Sequence, residues 1–472
     1  MGFVLLTNGL ALILAGLLMA LDAAIFPDTA DVFMTASIVT ITLGATLSAA
    51  TAARRDELRT VHTFMLTGTV WLTAATAGAA PLTLWGLSPT DAFFEAMSGI
   101  TTTGSTVMIG LDATPHGILM WRAVLQWIGG IGFIVTGIAL LPILKVGGMQ
   151  LFRTESSERG EKELGSAARF AAATLWIYVV LTMACAITYI AGGMTPFEAI
   201  AHALTTLSTG GYSTSDGSIG HFGSGFLEWS ATLFMLSGAL PFAWYIRAVN
   251  RRIFRSEQVA AFVASLAAFI ALLTAWRIAT SNAAPLDALR EVAFNVVSVV
   301  TTTGFATTDY TLWGPLAAVA FLVLTAVGGC TGSTAGGAKM MRWIVFYRAA
   351  NSEVRRVHHP HGVFVPRYEG RPIAPDVLSG VVSFFTFYVL TFWVMAFALS
   401  FLGLDFSTSV SGALTALANV GPGVGPIIGP SGNFATLPDT AKWILAFGMY
   451  LGRLEMLTIF VLLTPAFWRE AT

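Results

Sequence analysis

Ten apolar runs constrain this chain more than any other feature of its 472 residues. A bilayer's hydrocarbon core is about 30 Å thick and takes a helix of about 20 mostly apolar residues to cross. Runs of that kind lie near 3–26, 32–53, 62–87, 117–144, 169–192, 225–248, 257–279, 313–347, 376–403 and 440–466. They predict an all-α polytopic membrane protein. The first run lacks a basic leader region and is long for a signal-peptide core, so it is expected to stay as a span. Composition agrees, with 55% hydrophobic and 11% charged residues where a soluble domain carries roughly 25% charged. A net charge of −1 argues against nucleic acid as a partner and leaves membrane lipid as the surroundings. Cys185 and Cys330 sit inside apolar stretches and make neither a disulfide framework nor a metal site.

Basic residues set the orientation. They collect after the second, fourth, sixth and eighth runs: Arg54, Arg55 and Arg59; Lys145, Arg153, Arg159 and Lys162; Arg247, Arg251, Arg252 and Arg255; then Arg342, Arg348, Arg355, Arg356, Arg367 and Arg371. The opposite side holds few, mainly Arg277 and Arg290. Those four segments are therefore expected in the cytoplasm, with both termini on the same side.

Four segments on the outer side are of another kind. They contain Phe94–Ser105, Ala203–Tyr212, Asn295–Phe305 and Leu414–Gly423, each a semi-apolar stretch closing in hydroxyl or amide residues and glycine. One instance alone would be a helix C-cap. Four, at intervals of roughly 95 to 115 residues, make an internal repeat. Two leading spans over 1–58 then precede repeats at 59–150, 151–255, 256–350 and 351–472. A short re-entrant helix followed by an extended glycine-containing strand fits each segment. Irregular backbone at membrane depth survives only when buried in protein or lining a wet path. There its carbonyl oxygens can replace a cation's hydration shell, and the negative C-terminal end of the short helix favours a cation. Four copies predict one pseudo-fourfold cation pore.

Thr102-Thr103-Gly104-Ser105, Ser208-Thr209-Gly210-Gly211, Thr302-Thr303-Gly304-Phe305, Asn419-Val420-Gly421-Pro422-Gly423 and Gln126-Trp127-Ile128-Gly129-Gly130-Ile131-Gly132 together resemble the Trk/Ktr/HKT superfamily of potassium transporters. The two leading spans make the chain most similar to the TrkH/TrkG branch. The resemblance implies selectivity glycines at Gly104, Gly210, Gly304 and Gly421, and glycine at all four points to potassium over sodium. It also implies a homodimer in a bacterial inner membrane and a cytosolic nucleotide-binding regulatory subunit of TrkA type. No organic cofactor is expected on this chain, which carries no dinucleotide or Walker fingerprint of its own.

The eighth run is interrupted by Gly328-Gly329-Cys330-Thr331-Gly332-Ser333-Thr334-Ala335-Gly336-Gly337-Ala338-Lys339. Gly328, Gly332 and Gly336 could form a ridge for close helix packing. Five glycines in twelve positions would more naturally unwind the helix, and the resemblance implies an intramembrane gating loop here. Arg453 stands mid-span in the tenth run, where an unpaired charge facing lipid costs at least about 2.5–3.5 kcal/mol. It either pairs with another helix or, as the resemblance implies, borders the ion path below the filter. Asp112, Asp216 and Asp309 follow the first three filter segments and either concentrate cations or serve as plain loop carboxylates. His358, His359 and His361 lie in a polar cytoplasmic segment without cysteine and make a poor metal site. One alternative is a proton- or sodium-coupled secondary transporter, which would be expected to place acidic coupling residues at mid-membrane. The other is a membrane-surface enzyme, for which no catalytic constellation is visible.

Overall fold

The computed structural model describes residues 2–51, 60–139, 163–281 and 283–471. Of the basic residues that set the expected orientation, Arg54, Arg55, Arg59, Lys145, Arg153, Arg159 and Lys162 lie outside the described residues. Two leading helices, Gly2–Ile25 and Ala30–Thr51, pack as a hairpin around a turn at Pro27–Thr29. Leu10, Leu14, Leu17 and Leu21 on the first helix are each more than 50% exposed. An apolar stripe of that size, repeated every three or four residues, suits lipid and not water.

A succession of long helix, short helix, irregular stretch and returning helix then recurs four times. The long helices are Thr60–Trp85, Glu163–Ala191, Glu257–Ser281 and Pro375–Phe401. The short ones are Pro89–Ile100, Pro196–Leu207, Pro285–Val300 and Phe406–Ala418. Among the described residues, five straight helices are long and apolar enough to cross a bilayer, and two bent pairs bring the number to as many as seven.

The returning helices differ from one another. The first, His116–Ala139, has no break among its described residues. The second was expected as one span over 225–248, but bends by 90° between Gly225–Gly238 and Phe242–Arg251. Pro241 explains this: it lacks an N–H and excludes helical backbone at Leu240 before it. The third stops at Thr325 and resumes at Met340, as its glycines predict. The fourth, expected over 440–466, bends by 109° between Asp439–Arg453 and Met456–Leu462. No proline or glycine stands at that bend. Glu455 is left-handed there (φ 61°), and its carboxylate is held by Arg342 at 2.6 Å.

The four units close into a ring. Lys442 of the last unit pairs with Asp91 of the first at 2.6 Å, and the Phe434 N–H donates to the Thr106 carbonyl at 2.9 Å.

Candidate functional site

The short helices are prepared at their outer ends. Proline at the first helical position of three of them pre-sets the backbone where no N–H is needed. Ser88 accepts the Asp91 N–H at 3.1 Å, Thr195 and Glu198 form a capping box, and Asp405 accepts the Thr408 N–H at 3.0 Å. Each helix therefore starts firmly and directs its C-terminal end inward.

At that end the backbone turns left-handed, at Thr102 (φ 54°), Thr209 (52°), Thr302 (58°) and Asn419 (56°). Two residues on, a glycine is left-handed again: Gly104 (86°), Gly211 (77°), Gly304 (84°) and Gly421 (107°). Alternating the hand of the backbone turns successive carbonyls toward one side. A side chain at the glycines would also collide with the neighbouring segment. A Cβ on Gly104 would lie 2.1 Å from the Gly210 carbonyl oxygen, one on Gly211 1.9 Å from that of Thr303, one on Gly304 2.1 Å from that of Val420, and one on Gly421 2.8 Å from that of Thr103. Each segment thus abuts the next, and the fourth returns to the first.

This register corrects the sequence reading at one position. Gly210 was expected as the second filter glycine, but the backbone puts Gly211 level with Gly104, Gly304 and Gly421. Gly210 is level with Thr103, Thr303 and Val420, and Ser208 with the helix caps Thr101 and Thr301. Gly210 is glycine for another reason: the Gln126 amide packs where its Cβ would be, 2.3 Å away. That amide donates to the Gly210 carbonyl at 2.6 Å and accepts the Tyr212 N–H at 3.0 Å. Hydroxyl pairs Thr101–Thr103 and Thr301–Thr303, both at 2.8 Å, brace the inner end, where Asn419 donates to Thr103 at 3.0 Å.

Outside the four glycines lies a cavity of about 260 Å³, also bordered by Arg122 and Asp216. Asp216 accepts the N–H groups of Gly110 and Leu111 at 3.0 and 3.1 Å, strapping the second outer loop to the first. Asp309 caps the Thr311 N–H at 3.0 Å. A hydrogen bond from the Ser215 hydroxyl holds the Asp112 carboxyl below the usual carboxylate range. The three outer acids therefore shape the loops. The sequence reading missed the buried pair behind the first segment, Glu95 and Arg122 at 2.7 Å. An arginine inside an apolar span was the signal for it.

Residues 326–339 are not helical, so the glycine ridge for helix packing does not form. The backbones of Gly328 and Gly337 cross, Gly329 packs on Ala335, and the Gly332 carbonyl accepts the Phe242 N–H at 2.9 Å. This loop reaches the inner end of the four segments. The Gly336 N–H donates to the Thr302 hydroxyl at 2.7 Å, and the Thr334 hydroxyl donates to the Leu207 carbonyl at 3.0 Å. The Lys339 ammonium donates to the Ala335 carbonyl within the same loop.

Arg453, only 1% exposed, donates to the carbonyls of Thr334 at 2.9 Å and Gly129 at 3.1 Å. Glu455, two residues on, pairs with Arg342 instead. Arg453 therefore joins the broken third span to the returning helix of the first unit. Among the described residues no three of His, Cys, Asp or Glu come together as metal ligands, the His358–His361 segment included.

The family described as "TrkH: Cation transport protein" matches residues 29–469. The Trk system potassium uptake protein TrkI of Halomonas elongata is 48% identical over 441 residues, covering 92% of this chain and 89% of that protein. The Trk system potassium uptake protein TrkH of Salmonella typhimurium is 36% identical over 467 residues, covering 96% of each. The crystal structure of the potassium transporter TrkH from Vibrio parahaemolyticus superposes with a TM-score of 0.86 at 32% identity, over 98% of this chain and 99% of that one. The membrane-surface enzyme is set aside, because the chain belongs to the TrkH family of cation transport proteins.

Proposed function

We propose that this chain takes up potassium across a bacterial inner membrane through a selectivity filter built from Thr102-Thr103-Gly104, Thr209-Gly210-Gly211, Thr302-Thr303-Gly304 and Asn419-Val420-Gly421. The observation that carries the reading is the closed cycle of glycine-to-carbonyl approaches between the four segments. Carbonyls fixed in a ring exchange for an ion's hydration shell without reorganising, and this discriminates between cations. The names of the similar proteins, potassium uptake and potassium transporter, agree with potassium as the substrate.

On this reading the segment from Gly328 to Lys339 is the gate, and Arg453 latches it. Their support is position: the loop bonds to Thr302, and Arg453 bonds to the loop at Thr334. The four helix–pore loop–helix units are taken as repeats at 59–150, 151–255, 256–350 and 351–472. Both termini lie in the cytoplasm, the protein is a homodimer, and a nucleotide-binding subunit of TrkA type acts on it from the cytosol. These last points rest on the distribution of basic residues and the family. A coupled secondary transporter finds less support, since Glu95 and Glu455 are each engaged by arginine.

Flux into liposomes holding the purified chain tests the reading. Potassium should enter at a rate little reduced by sodium in excess. Equal entry of the two ions would refute a potassium filter, and dependence on a proton or sodium gradient would favour the coupled transporter.

A further inference from the structure

One position in each short helix lies nine residues before the ring glycine: Glu95 before Gly104, His202 before Gly211, Asn295 before Gly304 and Gly412 before Gly421. In three units its side chain reaches the chain that leaves the filter. Glu95 accepts from the Thr106 hydroxyl at 2.9 Å and the Val107 N–H at 3.0 Å, His202 bonds the Ser213 hydroxyl at 3.0 Å, and Asn295 donates to the Thr307 hydroxyl at 3.0 Å. In the fourth, Ile428 packs near the position, 3.2 Å from where a Cβ on Gly412 would be.

Two of these struts, at His202 and Asn295, involve no ion pair; the one at Glu95 does. Arg122 binds Glu95 through Nε and spends its other two nitrogens on the Ser213 carbonyl at 3.2 Å and the Thr106 hydroxyl at 3.1 Å. Its guanidinium also lies 4.1 Å over the Tyr212 ring. The Tyr212 hydroxyl donates to the Glu95 carbonyl at 2.8 Å and toward Ser105 at 3.3 Å. One arginine therefore ties the strands leaving the first and second filter segments. It also borders the outer cavity with Gly104 and Gly211. A bare cation there would oppose a second cation entering, and in a low-dielectric site that repulsion is large.

We infer, resting on the potassium-filter reading, that Arg122 is a positioning residue that sets the spacing of the first two filter segments, and that Glu95 is required to cancel its charge beside the ion path. The pair does two separable things. Its hydrogen bonds hold filter geometry, read as the potassium-to-sodium ratio. Its neutrality lets potassium approach, read as KM.

Potassium and sodium flux is measured in liposomes for the parent, Glu95→Gln, Arg122→Gln and the double variant, each normalised to folded protein. Glu95→Gln leaves the arginine charge uncancelled and should raise the potassium KM at least about tenfold. The double variant removes that charge and should return KM to within about threefold of the parent, while its potassium-to-sodium ratio stays depressed because the tie to Ser213 is gone. A double variant with KM as high as Glu95→Gln, or single variants with unchanged KM and ratio, would overturn the inference. Where Glu95→Gln fails to fold, Arg122→Lys decides: it keeps the pair neutral but loses the fork, so the ratio should fall at constant KM, and an unchanged ratio overturns the inference. A parent that carries no potassium would instead overturn the reading of function on which the inference rests.

Discussion

The ring of four glycine segments and the layer beneath it follow opposite rules. In the ring, four segments repeat one backbone: left-handed residue, ordinary residue, left-handed glycine. Their side chains differ, yet their contacts with the next segment are of one kind. Beneath, nothing repeats. One unit's returning helix bends at Pro241, one unwinds over 326–339, one bends at Glu455, and the first has no break among its described residues. Arg342, Lys339, Arg453 and Glu455 each occur there once. On the proposed reading, the ring presents one carbonyl from each segment to an ion, and the layer beneath supplies one movable part with fixed parts for it to bear on, which four identical copies would not supply.

The largest expected effect tests the sameness of the ring. Gly104→Ser, Gly211→Ser and Gly304→Ser each drive a Cβ to about 2 Å from a carbonyl oxygen, in a backbone region that itself costs about 1–2 kcal/mol for other residues. Each should abolish discrimination between potassium and sodium, read as the uptake ratio. Gly110→Ser is the control, since Gly110 is equally left-handed (φ 74°) with open space around it. It should transport and select like the parent. An unchanged ratio in a folded Gly211→Ser would return the second position to Gly210.

Next come the single-copy charges. Glu455→Gln leaves Arg342 buried without its carboxylate and should cost about 3–5 kcal/mol, seen as a large fall in thermal stability. Arg453→Gln gives up charged hydrogen bonds to Thr334 and Gly129, worth about 1.5–3 kcal/mol each. It should loosen the loop from the first unit and raise unregulated potassium flux in a protein that still folds. If its flux falls while its stability matches the parent, Arg453 is no latch. The smallest effect is at an outer helix start: Asp405→Ala removes the cap on Thr408 and should cost about 1 kcal/mol without altering selectivity.

What the sequence discloses divides along the same line. Spans, short helices and the unwound third return are written in apolar runs, in proline at helix starts and in clustered glycine. The register of the second segment was not legible: Pro89 stands 15 residues before Gly104 and Pro196 15 before Gly211, but Pro285 stands 19 before Gly304, so proline spacing sets no rule. Matching hydroxyl–glycine patterns chose the first of two adjacent glycines, because pattern alone cannot tell a glycine required by Gln126 from one required by the ring. The bend at Pro241 was there to be read. The bend at Glu455 was not: the residue at the turn pairs with Arg342, 113 residues away in the chain. Arg122 was half legible, as an arginine inside an apolar span, but its partner Glu95 was not, because only folding puts the two 2.7 Å apart.

The central claim is that the carbonyls of Thr103, Gly210, Thr303 and Val420 make one coordinating level. A crystal grown in rubidium, which scatters anomalously and stands in for potassium, measures this directly. The account predicts an anomalous peak enclosed by those four oxygens, lost in Gly211→Ser. Rubidium transported by the same preparation, with no peak at that level and one elsewhere along the path, would contradict it.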